Sequence, residues 1–95
     1  MLNTARKGLY SFGARMIPNA DNYNPSTEYA AQLVADIGRS QTWIAKRLGV
    51  SDRRVRYILN GSRIVNGEPT RVAMSYTEQF ALECLAEAVK AAANL

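Results

Sequence analysis

The stretch Ser40–Gly61, SQTWIAKRLGVSDRRVRYILNG, holds two apolar patterns of helical period separated by one glycine. With Gln41 as position one, Ile44, Ala45 and Leu48 recur on one face of a short helix, and Val55, Ile58 and Leu59 recur on a second. Two short helices that cross closely need a small residue at the crossing, and Ala45 supplies it at the fifth position. The ninth position, Gly49, falls in the turn, where a left-handed backbone is cheap only for glycine. Val50 plugs the corner, Ser40 and Ser51 stand where each helix needs an N-cap, and Asn60-Gly61 suits a C-terminal stop. Each feature is weak alone. Together they define a helix-turn-helix from Gln41 to about Leu59.

With Val55, Ile58 and Leu59 turned inward, the second helix exposes Ser51, Asp52, Arg53, Arg56, Tyr57 and Asn60. This is the face that would enter a DNA major groove. A guanidinium fork matches guanine O6 and N7, so Arg53 and Arg56, three apart, are the expected base readers. Ser51, Asp52 and Tyr57 complete the base-contacting set. Tyr57 suits a thymine methyl or a phosphate. Asp52 either accepts from cytosine N4 or complements the helix dipole. Gln41, Thr42, Lys46, Arg54, Asn60 and Arg63 are the expected phosphate contacts, Arg54 from the flank of the helix. A solvated surface is the plainer role for Lys46 and Arg47. Trp43 is expected to pack on the preceding helix rather than on a base.

The charge distribution agrees. From Arg39 to Arg63 seven cations (Arg39, Lys46, Arg47, Arg53, Arg54, Arg56, Arg63) face the single acid Asp52, a net +6. Residues 1–38 balance to zero and residues 64–95 carry −2, which leaves the +4 of the whole chain. A positive field confined to one segment suits a polyanion, although a solvated basic face has the same composition.

On the N-terminal side, Tyr29, Leu33, Val34 and Ile37 repeat at helical spacing. The helix is expected to start near Pro25 with Asn24 as cap and to stop at Gly38. Residues 1–24 read as an irregular arm, either a basic arm reaching DNA or, more commonly, a loosely packed terminus. On the C-terminal side, Arg63–Met74 reads as a short hairpin or a long loop. Asn66-Gly67 favours a hairpin turn, but Pro69 weakens the second strand, so a plain loop is preferred to a DNA-touching wing. Ser75-x-x-Glu78 is a capping box that opens a last helix running to about Ala93. Its stripe of Phe80, Ala81, Cys84, Leu85, Ala88, Val89 and Ala92 opposes Glu83, Glu87 and Lys90. Phe80, Cys84, Leu85 and Val89 are the expected dimer surface. The expected fold is all-α: a compact four- to five-helix bundle over residues 25–95.

Composition narrows the function classes. There is no histidine, so no imidazole base, triad or His-based metal site is available. The single Cys84 can build neither an internal disulfide nor a zinc cluster. No phosphate-cradling glycine loop and no membrane-length apolar run occurs, and no apolar segment follows Arg6 and Lys7 to make a secretory signal. The expectation is a cytoplasmic, non-enzymatic protein with no metal, cofactor or small-molecule ligand.

The spacing resembles the lambda-repressor/Cro-like helix-turn-helix family over roughly Pro25 to Ala92. Two segments, SQTWIAKRLGVSDRRVRYILNG and YTEQFALECLAEA, are similar to the small anti-CRISPR-associated (Aca) regulators of phages and mobile elements. There the recognition helix opens with Ser-Asp-Arg and carries an Arg-Tyr pair, matched here by Ser51-Asp52-Arg53 and Arg56-Tyr57. A Tyr-Thr-x-Gln-Phe-Ala-Leu-Glu run matches Tyr76 to Glu83. Thr42 and Trp43 stand where that pattern has basic residues, and the segment from Gly61 to Ser75 is longer. The resemblance implies a homodimeric autorepressor on double-stranded DNA with an inverted-repeat operator. The alternative is a protein-interaction module or antitoxin-like component on the same fold.

Overall fold

The structure, a computed structural model, describes residues 17–93. Most of the expected N-terminal arm, residues 1–16, lies outside the described residues. After a 3-10 turn at Ala20–Asn22 come α1 (Thr27–Ile37), α2 (Gln41–Leu48) and α3 (Asp52–Asn60). An antiparallel pair, β1 (Ser62–Val65) and β2 (Glu68–Arg71), leads to α4 (Tyr76–Ala93). The described chain is therefore mostly helical, with four helices and one small sheet, and all-α describes it only roughly.

Serine hydroxyls set the first three helix starts. Ser26, Ser40 and Ser51 accept from the backbone N–H groups of Tyr29, Trp43 and Arg54 at 3.0–3.1 Å. The expected cap at Asn24 is thus displaced by two residues. Asn24 Oδ1 instead accepts from Ser26 N at 3.1 Å and shapes the approach to the helix. α2 ends as expected: Gly49 is left-handed at φ 75°, and its N–H and that of Val50 both donate to Ala45 O.

The core joins Ala30, Leu33 and Ile37 of α1 to Ile44, Ala45, Val55 and Ile58 of the helix pair, and closes with Val72, Met74 and Leu82. Leu48, Val50 and Leu59 pack at its edge. α1 lies along α4, and α2 packs on α3. Val72 and Met74 arrive from the segment after the hairpin, so the stretch expected to be a plain loop supplies core.

The hairpin corrects that preference for a loop. Asn66 (φ 51°) and Gly67 (φ 78°) form a two-residue turn with both central residues left-handed. The register pairs Val65 with Glu68, Ile64 with Pro69, Arg63 with Thr70 and Ser62 with Arg71. A two-residue turn makes Val65 and Glu68 a hydrogen-bonded pair, so Ile64 and Pro69 fall on the next, non-bonded pair. The alternation continues to Gly61 and Val72, where Val72 N donates to Gly61 O at 3.0 Å. The absent N–H of Pro69 therefore points to the outer edge and removes nothing from the ladder.

α4 also departs from the expected stripe. Its buried residues are Gln79 and Leu82, with Leu85, Ala86 and Val89 packed on the core. The helix is apolar over so much of its girth that periodicity alone does not single out the inward side. Gln79 is wholly buried and wholly satisfied. Its Oε1 accepts from Asn24 N at 2.7 Å, and its Nε2 donates to Asn22 O at 2.9 Å and to Glu83 Oε2 at 3.2 Å. Asn19 N donates to Tyr76 Oη at 2.6 Å, and the Tyr23 hydroxyl donates to Met74 O. Residues 19–24, expected to belong to a loose arm, are strapped across the start of α4. No helix among the described residues is long and apolar enough to cross a membrane.

Candidate nucleic-acid interface

The buried side of α3 fixes what its outer side presents. Val55 and Ile58 are sunk at 3 % and 4 % exposure, so Ser51, Asp52, Arg53, Arg56 and Asn60 stand in solvent, with Tyr57 half-buried beside them. Arg53 and Arg56 lie on this face one turn apart, and neither side chain makes a hydrogen bond or ion pair with another described residue. Gln41 and Thr42 are exposed at the start of α2, and Lys46 is exposed in its last turn. Arg63 is exposed on β1, with its guanidinium 5.8 Å from the Tyr57 ring centroid. The hairpin thus sits beside the outer face of α3.

Two expected contacts are joined to one another. Thr42 Oγ1 donates to Asp52 Oδ2 at 2.7 Å, linking the first turn of α2 to the first turn of α3. This bond occupies one oxygen of Asp52 and holds the only acid of the basic segment at the helix N-terminus, where the dipole favours it. Trp43 is half-buried against the core, and Arg39 and Arg47 each lie 4.9 Å from its ring centroid. Both cations are thereby arrayed along the outside of α2.

Arg54 departs from its expected role. Its Nε and Nη2 donate to Glu78 at 2.9 and 2.8 Å, and Nη2 also donates to Ala73 O at 3.2 Å. The same Glu78 closes the capping box: Ser75 N donates to Glu78 Oε1 at 2.8 Å, and Glu78 N donates to Ser75 Oγ at 3.1 Å. The Arg54 fork beside Glu78 holds that carboxyl below its ordinary range, and the carboxylate in turn raises the guanidinium. Arg54 therefore clamps α3 to the head of α4, a role that the sequence did not assign to it. No sequence pattern announces a pair 24 positions apart.

The expected dimer residues divide. Leu85 and Val89 pack against the chain's own core, and Phe80 leans on the Tyr76 ring at 6.2 Å. Cys84 is half-buried along an open groove of about 690 Å³ between α1 and α4. Burial, and then the nearby Glu83 charge, push its thiol up, so it stays protonated. Glu83 was expected on the solvent side but faces α1, accepting from the Tyr29 hydroxyl and from Gln79 Nε2. Burial, followed by Glu83, raises the Tyr29 phenol to about 12. Gln79 escaped sequence reasoning, although its place one turn before Leu82 on an apolar helix is a signal for a buried, paired amide.

Compared with known protein families and with curated proteins, the chain matches none.

Proposed function

We propose that this chain is a sequence-specific DNA-binding transcriptional regulator that inserts α3 into the major groove. One observation supports this most: Arg53 and Arg56 stand exposed, one turn apart, on the outer face of a helix-turn-helix, inside a segment of net +6. Gln41, Thr42, Lys46 and Asn60 flank that face and suit phosphate oxygens. As with the regulators it resembles, the protein acts in the cytoplasm as a homodimeric autorepressor. Its two recognition helices enter successive major grooves about 34 Å apart on an inverted repeat. Binding occludes a promoter, and no step requires a catalytic group or cofactor.

A gel shift on random-sequence duplex at two salt concentrations tests the reading. Retardation at low salt that weakens steeply as salt rises is expected, because displaced counterions drive non-specific binding. No retardation at low salt would sink the proposal and leave the protein-interaction alternative. On a duplex selected by the wild type from a randomised pool, Arg53→Ala and Arg56→Ala should each lose about 1–3 kcal/mol of discrimination. Their circular dichroism should stay that of the wild type, since both side chains are exposed.

A further inference from the structure

A two-stranded ribbon is marginal alone, and this one has little to bury. Every residue of β1 and β2 except Val65 is exposed, and Ile64 stands 68 % exposed near the turn. Its shape is nonetheless encoded, by the Asn66-Gly67 turn and by a proline placed where the ladder needs no N–H. The position of Pro69 matters twice. Its missing donor faces the outer edge of β2, which blunts addition of a further strand there. The β2 edge of the ribbon is thus poorly suited to pairing with another strand.

Its charges have a different logic. The register sets Arg63 and Thr70 on one face and Arg71 with Ile64 and Pro69 on the other. One cation projects from each face, and Glu68 is the hairpin's single acid. A ribbon entering a narrow groove meets phosphates on both walls, and apolar side chains are the usual wedges against base edges there. The Arg63–Tyr57 contact holds this ribbon against the side of α3. From these observations we propose that the hairpin is a second DNA-contacting element, entering the minor groove beside the major groove that α3 reads. Arg71 reaches a phosphate wall from the face it shares with Ile64, Ile64 lies deeper because it stands nearer the turn, and Arg63 reaches a phosphate on the side next to α3. The proposal builds on the DNA-binding function above and adds a groove, a contact residue (Arg71) and an apolar wedge to it.

The test uses full-length Arg63→Ala, Arg71→Ala and Ile64→Glu proteins, with Arg53→Ala as comparison, on the duplex selected by the wild type. Circular dichroism confirms that each is folded. Each lost phosphate contact should lower the slope of log K against log salt by about one in Arg63→Ala and in Arg71→Ala. Both variants should keep the wild-type preference for the selected over a scrambled duplex, which Arg53→Ala should lose. Hydroxyl-radical protection of sugars in the flanking minor groove should fade in Ile64→Glu, while guanine N7 protection in the major groove persists. Wild-type slopes in both arginine variants, with flanking protection intact in Ile64→Glu, would overturn the proposal. So would unchanged slopes combined with an altered molar mass by light scattering, which would make the hairpin a contact between copies. A wild-type protein that retards no duplex would instead defeat the DNA-binding reading itself, and the hairpin's role with it.

Discussion

Glu78 satisfies two demands at once. One carboxylate closes the capping box of α4 and receives the Arg54 fork from α3. Because its pKa is lowered by folding, its contribution is fully present above the ordinary value of 4.5 and is lost as pH falls through the lowered one. Glu78→Gln should therefore cost about 1 kcal/mol at neutral pH, a figure kept small because the Arg54 side chain is 37 % exposed and screened. The melting-temperature gap from wild type should narrow on acidification below pH 4.5. A gap independent of pH would mean that the pair adds nothing beyond the cap. Tyr29 makes the opposite case. Its phenol is raised to about 12 by burial and Glu83, so stability from the protonated form is present below the unfolded value of 10.0 and lost as pH rises through about 12. Tyr29→Phe should melt lower than wild type at neutral pH, with the difference closing across that alkaline interval. Ultraviolet titration should show an ionisation near pH 12 in the wild type that is lost in Tyr29→Phe.

The joints between elements carry the next two expectations. Gly61 ends α3 in the left-handed region at φ 77°, and a Cβ there would lie 2.6 Å from Thr27 Oγ1. Gly61→Ala should therefore lose more than the roughly 1–2 kcal/mol of a left-handed residue alone. Adding Thr27→Ala should recover the steric part, and chemical denaturation of both single variants and the double variant measures the coupling. Gln79→Leu leaves Asn24 N and Asn22 O without their partners, at about 1–3 kcal/mol for each group that stays buried. Amide exchange at Asn24 should accelerate more than at Leu33 in α1; equal changes at both sites would refute a local strap. These joints were the least legible part of the sequence. Ala45, Gly49 and Val55 announce the helix pair because a close crossing admits few residue types at few spacings. Ser75 and Glu78 announce a cap because its partners are three apart. The Arg54–Glu78 and Gln79–Asn24 bonds join residues tens of positions apart, and no local period encodes them. Pro69 misleads only until the turn length sets which strand pairs exchange hydrogen bonds.

For the molecule taken together, charge and apolar surface are segregated. The +6 of residues 39–63 sits on the turn before α2 (Arg39), on α2, on α3 and on β1, whereas residues 64–95, which include α4, carry −2. The proposed DNA-binding and dimer faces therefore fall on different elements. Light scattering at micromolar concentration should give the mass of two chains; a monomer would reject the dimer. Of the side of α4 that could join two copies, the sequence showed the helix but not its rotation. Leu85 and Val89 turned out to serve the chain's own core, leaving Phe80 and Cys84 less committed to it.

In a dimer built on α4, the Arg54–Glu78 clamp becomes a caliper. In that proposed dimer it would set the angle between each α3 and the two-fold axis, and so the distance between the two points of the instrument. A stiff caliper accepts one gauge of DNA. Wild-type protein should bind sharply less well when a single base pair is inserted between half-sites, while Glu78→Gln should discriminate less between the two spacings. The residue that never touches the operator would then govern how strictly its length is measured.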